Sequence, residues 1–237
     1  MKCVKSLRRR NTIISNCKTS DLFTCKGNGL NTFFKRFVYP WQILPEIRHY
    51  IIDIIKNRQS KYFEYNNCVL IGDNVKISEL ATVVGPAIIG DNTEIRPGAY
   101  IRENVIIGSD CVIGNSTELK NCILLNNVQV PHYNYVGDSI LGNNVHFGAG
   151  TVCSNLKTFK NNVTIGSEKI DTGLRKVGAF VADGVDIGCG CVLAPGTVIG
   201  KNTLCYPMNF LRGVYPEMVI IKSSYNVTER RNNVCAE

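Results

Sequence analysis

The chain is short of acids, of histidines and of long apolar stretches, and each shortage excludes something. No apolar run approaches the roughly 18 residues a membrane-crossing helix needs, so no membrane partner is expected. Its histidines are His49, His132 and His146, the first inside an apparent helix, and they do not make a three-His metal site. Cys189-Gly190-Cys191 has no histidine or second cysteine pair nearby, so no metal is expected there either. Eleven cysteines without regular pairing read as reduced thiols in a cytoplasmic protein. No Gly-rich strand-to-helix phosphate loop precedes residue 68, and the residues before it are too few for a nucleotidyltransferase domain. Acids are scarcest at the start. Residues 1–40 hold nine Lys or Arg and one acid, which accounts for the whole net charge of +8. The remainder carries 18 charges of each sign, so no basic patch and no nucleic-acid partner is expected on the folded body. Residues 1–40 read as a disordered basic arm; an organelle-targeting segment is the other reading of its acid-free opening.

What is present is a repeat. Every sixth residue from Ile71 to Leu125 is aliphatic: Ile71, Ile77, Val83, Ile89, Ile95, Ile101, Ile107, Ile113, Leu119, Leu125. Two residues before each lies a second series, mostly small, including Ala81, Ala87, Thr93, Ala99 and Cys111. Glycine often follows the aliphatic stop, and Asp or Asn follows that. Each hexad therefore reads as a short strand with two inward side chains and then a bend, the signature of a hexapeptide parallel β-helix. Ordering six residues costs about 6–12 kcal/mol, while burying one aliphatic and one small side chain returns about 2–4, so a hexad is stable only when stacked.

Ahead of the repeats, residues 41–60 read as a helix that covers the open first coil. Pro45 and Glu46 suit its start, and Ile47, Tyr50, Ile51, Ile54 and Ile55 line one face. The β-helix is expected over 61–206, and 207–237 as a tail without repeat. After Leu125 the next matching series is Tyr135, Leu141, Phe147, Cys153, a gap of ten that predicts four extra residues in a loop within 126–134. Residues 157–162 and 167–176 are polar, off pattern, and read as projecting loops.

With three hexads per coil, residues 18 apart share a face. Arg96, Arg102 and Lys120 replace the usual glycine, and Arg102 and Lys120 are 18 apart. Stacked cations make an anion site, phosphate above all; a solvated surface pair is the alternative. His132 falls in the register break, where an imidazole can act as general base near neutral pH, with Glu118 on the adjoining coil to orient it; a structural histidine is the alternative.

The segments Ile95-Arg96-Pro97-Gly98-Ala99, residues 114–120, His132-Tyr133-Asn134-Tyr135-Val136-Gly137-Asp138 and Gly148-Ala149-Gly150-Thr151 resemble the acetyltransferase half of the bifunctional glucosamine-1-phosphate acetyltransferase/N-acetylglucosamine-1-phosphate uridyltransferases, over roughly residues 68–215. The whole chain looks closest to a stand-alone group labelled UDP-N-acetylglucosamine pyrophosphorylase-related. The resemblance implies an all-β, left-handed β-helix, a homotrimer with sites between subunits, and acetyl-CoA or another acyl-CoA as co-substrate. It implies His132 as general base with Glu118 as its orienting acid, and Arg102 or Arg96, Lys120, Tyr135, His146 and Asn155 around an amino-sugar phosphate or nucleotide sugar. Backbone near Ala149, Ala179 and Ala194 would line the acyl-CoA groove, with Arg212 at the CoA phosphates. His146 stands where those proteins have a sugar-binding asparagine, and Leu156 where they have an aromatic. The alternative function is a non-catalytic trimeric module that binds a sugar nucleotide.

Overall fold

In the computed structural model, residues 17–25, 30–57, 63–66, 68–223 and 226–229 are described. The hexads wind into a left-handed β-helix of about eight turns. Each turn lays one strand on each of three parallel faces of a prism. The first face runs from Val69–Ile71 to Val214–Tyr215, the second from Lys76–Ile77 to Val219–Ser223, and the third from Thr82–Val83 to Phe210–Leu211. In the early coils partners are 18 residues apart, as Val69 opposite Ala87 and Ala87 opposite Val105. The stops and the small residues two before them point inward as one column, from Val69, Ala87 and Ile89 to Leu211 and Ile221.

The glycines after the stops serve close packing rather than the bend. A Cβ at Gly90 would lie 2.5 Å from the Gly108 carbonyl carbon, because the next coil passes directly over it. The left-handed backbone belongs to the residue two further on, as at Asn74, Asn92, Asn127 and Asn144, where asparagine tolerates positive φ.

The register after Leu119 differs from the expectation. Ile107 pairs with Leu124, Ile113 with Val130 and Leu119 with Val136, each 17 residues on. The inward residues are therefore Cys122, Leu124, Val130 and Val136, not Leu125 and Tyr135. There are no four extra residues. Two corners between the third and first faces, at Asn121 and at Asp138, are each one residue shorter, and Gln129–His132 is an ordinary strand. The cause is that residues 122–125 are apolar on both sides, which erases the alternation that marks inward from outward.

The covering of the first face explains this. Its outward residues Leu70, Ile88, Ile106, Ile123, Ile140, Phe180 and Val198 pack against Leu22, Phe33, Phe34, Trp41, Ile43, Ile47 and Ile51. The helix Ile47–Asn57 forms as its spacing predicts. It meets the strand Val105–Ile107 on the flank of the prism rather than sealing the first coil. Beside that first coil, Phe63–Asn66 pairs antiparallel with Val69–Ile71. Residues 17–25 and 30–40 are likewise not a free arm, since Cys17, Leu22, Phe23 and Phe33 are buried. Residues 1–16 lie outside the described residues. The tail is also corrected: Phe210–Leu211, Val214–Tyr215 and Val219–Ser223 continue the three faces, and Asn226–Glu229 closes the last edge. The repeat is obscured there because Ile199 pairs with Tyr215 only 16 residues on.

The chain leaves the prism at both expected loops, but as one excursion that includes residues 163–166 and folds back rather than as two separate projections. Between Cys153 and Ala179 the chain leaves the prism, makes the hairpin of Thr164–Ile165 with Ile170–Asp171, and buries Val163, Ile165 and Val177 against the covered first face.

Candidate active site

The third face carries most of the predicted site. Its strands Tyr100–Ile101, Glu118–Lys120, Tyr135–Gly137 and Val152–Cys153 lie side by side, with the middle residue of each coil facing inward. Outward at the start of the face stand Tyr100, Glu118 and Tyr135 in one row. At its far edge Arg102 follows Ile101 as Lys120 follows Leu119, so the two cations stack on successive coils, as the 18-residue spacing requires. Gly137 is the next member of that edge.

The charges here are unequal. Arg102 Nη1 donates to Glu118 Oε1 at 2.9 Å, its Nε is 3.7 Å from Glu103 Oε2, and its guanidinium lies 5.9 Å from the Tyr100 ring centre. The hydrogen bond to Glu118 holds its proton even more firmly than usual. The Lys120 ammonium has no hydrogen bond or ion pair among the described residues, and is the cation of the pair left available to a ligand. Tyr135 is half-buried. Its phenol is pushed above the ordinary tyrosine range by burial first, then by Asp138 and Glu118. Asn155 Nδ2 donates to the Tyr135 hydroxyl at 3.1 Å and to Asp138 Oδ2 at 2.6 Å, and Asn121 Nδ2 donates to Asp138 Oδ1 at 2.9 Å.

His132 lies at the corner where the second face turns into the third. Its strand neighbour is Asn115, its carbonyl accepts from Gly150 N–H at 3.0 Å, and its ring is exposed without a hydrogen-bond partner among the described residues. The expected contact between Glu118 and His132 is not made: the Glu118 carboxylate is engaged by Arg102. Ala149 sits one coil further along the same corner, with Cys189 beyond it.

Other predicted members lie elsewhere. Arg96 is on the second face, bound to Glu94 at 3.2 Å. His146 is also on the second face, with Nδ1 2.8 Å from Asp186 Oδ1, away from Lys120 and Tyr135. Ala179 is wholly buried at the start of a first-face strand. Ala194 and Arg212 share the far edge of the third face with Lys120. Arg212 is four coils from Lys120, about 19 Å at the usual strand separation. Ala149 is on the opposite edge, so the four residues expected around acyl-CoA do not line one groove within a single chain. Sequence reasoning missed Asp138 and Asn121. Their signal is the run 121, 138, 155, polar residues 17 apart, which shows only once the coil length is known. Among the described residues, no three of His, Cys, Asp and Glu are placed to hold a metal ion, and no helix is long and apolar enough to cross a membrane.

Residues 83–173 match the GMPPB C-terminal domain family. The chain is 36% identical over 185 residues to the bifunctional protein GlmU of Methanococcus maripaludis strain C5, covering 75% of this chain and 44% of that protein. It is 32% identical over 171 residues to the bifunctional sugar-1-phosphate nucleotidylyltransferase/acetyltransferase of Sulfurisphaera tokodaii, covering 66% of this chain and 43% of that one. The chain thus spans about half the length of the curated relatives it matches. Among solved structures, the polySia-specific acetyltransferase NeuO overlaps 73% of this chain and 93% of its own, at 9% identity and a TM-score of 0.43. By its sequence, this chain is similar to the acetyltransferase portion of the GlmU-type bifunctional sugar-phosphate enzymes.

Proposed function

We propose that the chain is an acyl-CoA-dependent N-acyltransferase that acts on an amino-sugar phosphate or nucleotide sugar. The observation that carries this is the third face itself, where Lys120 stacks with Arg102 beside Tyr135 and Asn155 and the corner with an exposed His132 opens the same face. The sequence similarity to a protein named as a bifunctional sugar-1-phosphate nucleotidylyltransferase/acetyltransferase supports it. Lys120 and the Tyr135 hydroxyl would hold the phosphate. Arg102, half-neutralised by Glu118, would contribute less charge and more shape. His132 would take a proton from the attacking amine as it bonds to the thioester carbonyl, and the thiolate of CoA would leave with that proton. The Ala149 N–H, without a partner among the described residues, would stabilise the oxyanion.

His132 and the Arg102–Lys120 pair occupy opposite edges of one face. A homotrimer would bring the His132 edge of one copy against the cationic edge of the next, and the exposed Tyr100, Val192 and Phe210 on that face fit such packing.

The test is release of free thiol from acetyl-CoA in the presence of glucosamine 1-phosphate and related amino-sugar phosphates. His132→Ala should lower kcat about 100-fold or more, while Lys120→Ala should chiefly raise KM for the sugar phosphate. Turnover in His132→Ala equal to that of the parent overturns the mechanism. The second reading, a sugar-nucleotide-binding module without catalysis, is favoured by His146 on another face and by Leu156 in place of an aromatic. Sugar-nucleotide binding in calorimetry with no acyl-CoA affinity would select it.

A further inference from the structure

The Asn121, Asp138 and Asn155 side chains form a ladder along the far edge of the third face, one per coil. It exists because the corners at Asn121 and Asp138 are one residue short, which puts the three residues in line at 17-residue spacing. Asp138 is the centre and is only 6% exposed. An ionised carboxylate accepts and cannot donate, so both flanking amides must turn their NH2 groups toward it. Asn155 Nδ2 then has one hydrogen on Asp138 and the other on the Tyr135 oxygen.

That arrangement sets the direction of everything beyond it. The Tyr135 oxygen accepts from Asn155, so its own proton is turned away from Asn155. The Asn155 side-chain oxygen Oδ1 is left with no donor among the described residues, while its main-chain carbonyl accepts from Val177 N–H at 3.0 Å. A Cβ at Gly137 would strike the Tyr135 hydroxyl and come within 2.9 Å of Asn155 Nδ2, so the hydroxyl lies over Gly137, the next member of the edge after Arg102 and Lys120.

We infer that Asp138 is a positioning residue of the anion site. It polarises the chain Asp138–Asn155–Tyr135 so that Tyr135 offers an O–H donor beside the Lys120 ammonium, and Asn155 offers a carbonyl acceptor. The pair would read a phosphate oxygen next to a hydroxyl or amine hydrogen of the same sugar. This rests on the sugar-phosphate reading above.

Asp138→Asn keeps the shape and inverts the polarity. With Asn121 still donating to its oxygen, the new amide turns its NH2 toward Asn155. Asn155 must then present its carbonyl inward, and the Tyr135 proton is drawn inward to it. Calorimetric titration with glucosamine 1-phosphate should show about tenfold weaker binding in Asp138→Asn. The same should appear in the assay as a KM increase with kcat little changed. In a Tyr135→Phe background Asp138→Asn should cost clearly less than in the parent, since the hydroxyl it orients is gone and only the turned Asn155 amide is left to act; a merely structural role would give additive losses. Should Asp138→Asn fail to fold, Asn155→Leu breaks the same chain in the middle and should show the same loss and the same non-additivity. Parent-like binding in the variant, or additive losses, overturns the inference while leaving the sugar-phosphate reading intact. No binding by the parent chain overturns that reading, and this inference with it.

Discussion

Burial decides the chemistry of most of the described thiols; Cys191, lowered by its contact with Cys205, is the exception. Cys17, Cys25, Cys111, Cys122, Cys153, Cys191 and Cys205 are buried, whereas Cys68 and Cys189 are exposed. Desolvation pushes the Cys111 and Cys153 thiols up to about 12, because a thiolate inside the prism would have no water around it. Of the described cysteines, Cys68 and Cys189 should therefore react with an aromatic disulfide reagent in native protein near pH 8, and the other seven only after denaturation. Mass spectrometry of the labelled peptides checks this; rapid native labelling of Cys111 or Cys153 would contradict the inward register. At the same scale the sequence was legible where chemistry and spacing agreed. Arg102 and Lys120 stack as their 18-residue separation requires, and Arg102, not Arg96, shares the face with Tyr135. The partner of Glu118 was not legible, because Arg102 and His132 both lie within one coil of it and only side-chain direction separates them.

Among the elements, the N-terminal segment differs most from its sequence reading. A basic composition hides its apolar residues, yet Leu22, Phe33, Phe34 and Trp41 cover the first face. Trp41 is 3% exposed, stacks on Tyr39 at 4.5 Å and meets Phe180 at 6.2 Å. Trp41→Ala should cost about 3–5 kcal/mol if the segment is part of the cooperative unit. As the only tryptophan, Trp41 also reports on the segment directly. Its fluorescence and the far-ultraviolet circular dichroism should change together in a urea titration, and an earlier fluorescence transition would show the segment detaching before the coils unfold.

For the whole molecule, each prism face has a separate role. The first is apolar and covered by the chain's own N-terminal segment, the second carries polar pairs such as His146 with Asp186, and the third combines the candidate site with exposed Tyr100, Val192 and Phe210. If the third face packs copy against copy as proposed, sedimentation equilibrium should give about three times the 26.3 kDa chain mass. Charged substitution of Val192 to Asp should dissociate the assembly and abolish thiol release together. A monomeric mass with full turnover would place the complete site within one chain.

The sequence by itself determined the solenoid, its three-hexad coil and the edge where two cations stack, because a period of six with alternating inward side chains admits one solution that buries them. Only the tertiary structure decided the 17-residue coils, the flank position of the helix and the company Glu118 keeps. The first two depend on what covers a strand from outside, since a strand buried on both sides no longer displays in its sequence which residues face in, and the third depends on side-chain direction.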